Sequence, residues 1–110
     1  FLCDLYQATR DRKYLDGALT MYEFGVGESP VVYENTLSHK FAWGCASLYR
    51  QTGEANHLES ACRVCDHLVS TQESDGSYLM DGAPADWPYQ SRLNLTSQFA
   101  LWIRFVLNLL

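Results

Sequence analysis

A stretch of fourteen residues near the start of the chain returns 43 residues later, and this repeat narrows the fold more than any other feature. Leu5-Tyr6-x-x-Thr9-x-Asp11-x-x-x-Leu15-Asp16-x-Ala18 reappears as Leu48-Tyr49-x-x-Thr52-x-Glu54-x-x-x-Leu58-Glu59-x-Ala61, with five identities and two acid-for-acid matches. Self-similarity at such a period marks a repeated unit that buries its apolar side by stacking on its neighbours. A looser correspondence runs at an offset of 59, from Asn35, Ser38, Trp43 and Leu48 to Asn94, Ser97, Trp102 and Leu107. The extra length falls in an aromatic loop over residues 72–92.

Apolar periodicity assigns the units to helices. Residues 1–8 read as the last turns of one helix. Tyr14, Leu15, Ala18, Leu19 and Tyr22 recur at three- and four-residue spacing and predict a second helix over 12–24, stopped by Gly25, Gly27 and Pro30. A third, opening at 34–36 and ending near 50, is apolar or small at every position from Phe41 to Leu48, which predicts burial on all sides. Gly44 in its middle implies close approach by a neighbour. The fourth, over 54–71, has a stripe of Leu58, Ala61, Cys62, Cys65, Leu68 and Val69, leaving Glu59, Ser60, Arg63, Asp66 and Ser70 outside it. The fifth opens at 94–96 and is again apolar on most sides. The reading is a single all-α domain of about five helices, with hairpins over about 1–30 and 31–75 and the start of another at 93–110. Stacked hairpins form either an open solenoid or a ring with inner and outer helices. Helices buried on every side favour the ring, the α/α toroid.

Composition excludes several functions. A net charge of −5 with eight scattered basic residues disfavours nucleic acid and anionic membranes. The apolar run from Phe99 onward is interrupted by Arg104 and Asn108 and falls short of the ~20 residues a bilayer requires. Cys3, Cys45, Cys62 and Cys65 all sit in apolar helical patterns, so they read as reduced core residues, which favours a cytoplasmic setting. Cys62-x-x-Cys65 suggests a metal or redox site. Zinc needs a second ligand pair and a redox dithiol needs an exposed helix start, so core packing is the better reading.

At the fourth helix, Arg63-x-x-x-His67-Leu68-x-x-x-Gln72-x-x-Asp75-Gly76-Ser77-Tyr78 resembles the repeated Gln-Trp motif of the terpenoid cyclase and protein prenyltransferase toroids. It departs from that motif at His67 (usually aromatic), Val64 (usually small) and Tyr78 (usually Trp). The phrase Leu48-Tyr49-x-x-Thr52-Gly53-Glu54, with Leu58-x-x-Ala61, is also similar to six-hairpin carbohydrate enzymes. The resemblance implies a structural role for the motif, with Gln72 capping helix ends and the Tyr78 ring packed between helices. It also implies a ring of about a dozen helices, so this chain would be part of a larger assembly, completed by further hairpins of the same or another chain. The Asp-x-Asp-Asp and Asp-Asp-x-x-Asp clusters of terpenoid enzymes are absent, as is a zinc ligand set, so neither a metal nor a cofactor is expected.

The candidates for chemistry are residues near helix starts and in the loop. His39 titrates near neutrality and is the first candidate for proton transfer, against a histidine simply satisfied by a backbone carbonyl. Glu34, Asp81 and Asp86 are candidate acids, with solvated loop residues as the plainer reading of the last two. Asp75 reads as a turn former before Gly76. Asn35 is a candidate ligand contact and, like Asn94, a candidate helix cap. Trp87 and Tyr89 could wall a sugar or polyene site. Trp43, Trp102, Phe41, Phe99 and Phe105 are either core or the lining of a central cavity. The leading functional expectation is a toroid enzyme segment holding a largely apolar small molecule, as terpenoid cyclases do. The alternatives are a six-hairpin epimerase or glycoside hydrolase and a non-catalytic helical-repeat binding module.

Overall fold

The computed structural model describes residues 1–28, 31–84 and 86–109, with only the backbone of Glu28. These residues form five α-helices and one short 3-10 turn, with no strand among them. The helices are α1 (Leu2–Thr9), α2 (Arg12–Glu28), α3 (His39–Thr52), α4 (Ala55–Ser70) and α5 (Tyr89–Leu109); the 3-10 turn, Thr36–Ser38, leads into α3.

The repeat is visible in the hydrogen bonds of the two turns. Thr9 closes α1 by donating its hydroxyl to the Leu5 carbonyl at 2.7 Å and accepting from the Asp11 N–H. Thr52 closes α3 identically, onto the Leu48 carbonyl at 2.9 Å and from the Glu54 N–H. The next residue is left-handed in both copies, Arg10 at φ 60° and Gly53 at φ 71°, with its N–H on the Tyr6 or Tyr49 carbonyl. Ala18 and Ala61 are both buried beyond the turn. One turn chemistry is thus used twice, and the second copy places glycine where the backbone demands it.

Helix α3 is the hub. It packs most extensively on α4 and then on α5, and it also touches α1 and α2, while α1 and α2 pack on each other. The larger core joins Ala42, Cys45 and Ala46 of α3 to Ala61, Val64 and Leu68 of α4, Leu95, Phe99 and Val106 of α5, and the ring of Tyr78. A smaller core holds Cys3, Leu15, Ala18 and Leu48. The body measures 48 × 26 × 19 Å, too thin to enclose any helix completely.

That thinness corrects several expectations. Neither α3 nor α5 is dry all round: Lys40, Gly44 and Arg50 of α3 face solvent, as do Leu93, Leu101, Phe105 and Leu107 of α5. Trp43 and Trp102 are half-buried against each other. A Cβ on Gly44 would meet nothing within 4 Å, so no neighbour presses on it; the tight glycine is Gly25, where a Cβ would lie 3.0 Å from the Phe41 ring. Gly25 and Gly27 continue α2 to Glu28 rather than ending it, because the Phe41 contact rewards the extra turn; Pro30 lies outside the described residues. Helix α5 begins five residues before its predicted start. Pro88 presents its carbonyl to Ser91 and Arg92, and proline suits a first turn that has no donor to place.

On α4 the buried stripe is His57, Ser60, Ala61, Val64 and Leu68, rotated from the predicted one, while Cys62 and Val69 are exposed and Cys65 is half-buried. The polar Ser60 is drawn inward because hydroxyls from other elements meet it there. Tyr22 reaches its Oγ at 2.9 Å and Tyr33 at 3.2 Å.

Arg10 holds a conformation that costs a non-glycine residue ~1 kcal/mol. Arg10→Gly, copying Gly53, is expected to stabilise the chain by about 0.5–1 kcal/mol in urea unfolding. A loss of stability would show that the Arg10 side chain has a compensating role.

Candidate functional site

The entrance to α3 concentrates polar groups. Asn35 caps the 3-10 turn, its Oδ1 accepting from the Leu37 N–H at 2.8 Å. Thr36 is buried, and Asp81 reaches it across the chain: one carboxylate oxygen accepts from the Thr36 N–H at 2.8 Å and its hydroxyl at 3.1 Å. The Asp81 N–H approaches the same hydroxyl at 3.3 Å. Asp81 is therefore a clamp tying the aromatic loop to the start of α3, and it remains the solvent-exposed loop acid the sequence suggests. Its charge also lies at the positive end of the helix.

His39 is 1% exposed. Its Nδ1–H donates to the Thr36 carbonyl at 3.0 Å, the backbone-satisfied histidine weighed from sequence. Nε2 is buried and makes no hydrogen bond among the described residues, beside the rings of Phe99 (4.7 Å) and Trp102 (6.2 Å). Burial lowers its pKa, partly opposed by the Thr36 carbonyl, so the neutral ring is favoured. Sequence reasoning missed His57. It is equally buried, its Nδ1 is 3.0 Å from the Thr52 hydroxyl and its ring is edge-on to Tyr22. Burial lowers its pKa too. The clue lay in the repeat, where His57 occupies the place of Tyr14 on the inward side.

The remaining candidates scatter. Glu34 and Asp86 are exposed, and Tyr89 is exposed while Trp87 is half-buried in the larger core, so these two rings do not share one environment. Trp43, Trp102 and Phe105 form an aromatic cluster with centroids 4.6–5.8 Å apart. Asn94 lies inside α5, not at its cap.

The motif after α4 is only partly as expected. Gln72 donates to the Gly76 carbonyl at 2.9 Å, closing its own turn rather than bracing a neighbouring helix. Asp75 accepts from the Ser77 N–H, and Gly76 takes φ 83°, the turn role read from sequence. The Ser77 hydroxyl nearby and then its N–H hold the Asp75 carboxyl below its ordinary pKa. Tyr78 packs against Phe99 at 4.7 Å and donates its N–H to Thr96, so its ring lies between helices.

All four cysteines are free thiols. Burial pushes the Cys45 thiol up to about 12, and raises those of Cys3 and Cys65, so none of these is an activated nucleophile. Among the described residues no three His, Cys, Asp or Glu side chains gather as a metal site.

Two cavities stand out. An apolar groove of about 420 Å³ lies between α1, α2 and α3, walled by Phe1, Met21, Phe41, Trp43, Gly44 and Leu48 among others. A second, of about 300 Å³, lies where the Asp75–Ser77 turn meets the first turns of α5 and mixes Asp75, Arg92 and Thr96 with Tyr89 and Leu93. No helix of the described residues is long and apolar enough to cross a membrane. Protein-family models, curated proteins and solved structures offer no match to this chain.

Asp81→Ala is expected to cost about 1–3 kcal/mol, since it orphans the buried Thr36 N–H and hydroxyl. Hydrogen exchange should quicken at the start of α3; unchanged protection there would refute the clamp. Both buried imidazoles have lowered pKa values, so their contribution is intact above 6.5, the ordinary histidine value, and is lost as pH falls through the lowered ones. Urea unfolding across this range should show stability dropping by up to about 1.4 kcal/mol per pH unit for each histidine. A flat profile would mean that these rings are not buried neutral.

Proposed function

We propose that the chain is a segment of a helical-hairpin array of the α/α-toroid kind and that it holds a largely apolar small molecule in the groove between α1, α2 and α3. Three features support the array: the twice-used turn, the contacts of α3 with both α1 and α5, and the pairing of α2 with α1 and α4 with α3. The exposed apolar side chains of α5 fit the same picture. Leu101, Phe105 and Leu107 correspond at the 59-residue offset to Ala42, Ala46 and Leu48, which are buried in α3. In the array a further helix covers them.

The groove carries the functional reading. Its walls are mainly aromatic and aliphatic, with Lys40 and Ser47 among the lining side chains, and among the described residues no carboxylate lines it. An enzyme that cuts glycosidic bonds needs two carboxyl groups across a cleft, ~5–10 Å apart. The candidate acids supply no such pair here, because Asp81 is committed to Thr36, and Glu34, Asp75 and Asp86 are outside the groove. An apolar ligand needs what the groove offers, contact area and ring faces. His39 is not among its lining residues, so this segment contributes binding surface, and any acid for catalysis belongs to other hairpins of the array.

Farnesol, titrated against intrinsic tryptophan fluorescence, is a suitable apolar probe because Trp43 lines the groove. Gly44→Leu fills open space on the groove wall and should weaken binding at least tenfold, about 1.4 kcal/mol. It should leave the fold intact, since a leucine is a better helix former than glycine. Absence of saturable binding, or equal affinity in the variant, would sink the proposal.

A further inference from the structure

We propose that the ligand of the groove between α1, α2 and α3 is a medium-chain carboxylate, an alkyl chain ending in one negative charge that pairs with Lys40. This ligand class rests on the reading above, that the groove holds a largely apolar molecule, and adds the chemistry and position of its polar end. Lys40 is the one charged side chain among the described residues lining the groove, in a chain of net charge −5. It is exposed and makes no ion pair among the described residues. The acids next along the chain to lining residues, Asp4 and Glu23, are exposed and do not line the groove. Asp4 pairs with the Phe1 amino group at 3.3 Å.

The groove is graded along its length. Its α3 wall runs through Lys40, Gly44, Ser47 and Leu48, about 12 Å by helical rise. At one end Leu48 lies with Cys3 and Ala18, all buried in the smaller core. At the other, Lys40 is open to water. Gly44 between them has no side chain, and a Cβ there would meet nothing within 4 Å, so the wall is bare. An alkyl chain lying along it, tail toward Leu48, brings its head group to Lys40. A carboxylate is costly to take out of water. Here it stays at the rim, beside an ammonium group that also reaches water while its stem lies on the apolar wall.

The start of α3 adds to the selection by sign. Lys40 lies in its first turn, no acidic side chain does, and the amide end of a helix carries a partial positive charge. A lysine gains nothing from that position, whereas an anion is attracted by the helix end and the ammonium together. Asp81, which offsets part of the charge at this end, is held on Thr36 and does not line the groove. The Tyr22 hydroxyl is engaged with Ser60 and Ser47 is uncharged, so neither favours a cation. One lysine matches one negative charge.

The test compares three probes of one chain length, decanoate, decanol and decyltrimethylammonium. Each is titrated below its micelle concentration against the tryptophan fluorescence of the whole chain, which has Trp43 in the groove wall. Decanoate should bind about threefold to fivefold more tightly than decanol, the size of an exposed ion pair. Decyltrimethylammonium should bind more weakly than either. In Lys40→Met the preference for decanoate over decanol should vanish, and in Lys40→Arg it should persist; the exposed position should leave both variants folded. The proposal is overturned if decanol or decyltrimethylammonium binds as tightly as decanoate, or if Lys40→Met keeps the preference. Decanol binding that Gly44→Leu weakens, with no preference for decanoate, sinks the carboxylate and leaves the groove. Absence of binding by all three probes sinks both.

Discussion

The close approach of α3 and α4 is the contact on which the other elements depend. Ala42, Cys45 and Ala46 on one helix and Ala61 and Val64 on the other are at most 1% exposed. These side chains are small, so the two backbones come near enough to exclude water with little bulk between them. Larger groups then fill the edges of the seam: Leu68 and Tyr78 toward α5, and Leu48 toward α1 and α2. Because α3 is held in this way, its remaining sides become the surfaces against which α5 and the α1–α2 pair are placed.

Apolar contact alone would leave these elements free to slide, and polar bridges limit that freedom. Tyr22 and Tyr33 meet at Ser60, joining α2 and the stretch before α3 to the face of α4. Arg63 lies over the Tyr33 ring at 3.8 Å, covering the same junction. Asp81 and His39 both use Thr36, so the aromatic loop and the first turn of α3 share one anchor. The hydrogen-bonded bridges satisfy groups of Ser60, Thr36 and His39 that would otherwise be buried without a partner. Their geometry is specific in a way that hydrophobic burial is not.

Much of the helix plan was legible in the sequence, because it rests on local signals. The repeated Thr and its left-handed successor show where α1 and α3 end, and Asp75-Gly76 marks a turn by its own chemistry. What could not be read depends on partners far along the chain. Ser60 looks like a surface residue until two tyrosines, 38 and 27 positions away, are brought to it. Asp81 is exposed, as its loop setting suggests, but its bond to Thr36, 45 positions earlier, appears only once the loop folds back. Gly44 and Gly25 are alike in sequence, and only the position of Phe41 decides which is tight. The rotation of the α4 stripe has the same origin: hydrophobicity ranks Val69 above Ser60, but hydrogen-bond partners and neighbouring helices set the actual facing. The reading of His39 as satisfied by a carbonyl holds, because its place three residues after Thr36 puts that oxygen within reach.

The contrast between the two cavities follows from the elements that wall them. The groove is bounded mainly by the sides of helices, where backbone N–H and C=O groups already bond to each other. Only side chains remain to face a ligand, and on α1, α2 and α3 these are chiefly apolar. The smaller cavity lies where α4 has ended and α5 is beginning, the place where helices leave backbone groups and capping side chains in need of partners. Asp75, Ser77 and Arg92 gather there because turns select short polar residues and helix starts leave their first side chains unsupported. The same alternation of helix and turn that builds the repeat therefore yields one recess walled by helix sides and one, of mixed polar and apolar lining, at helix ends.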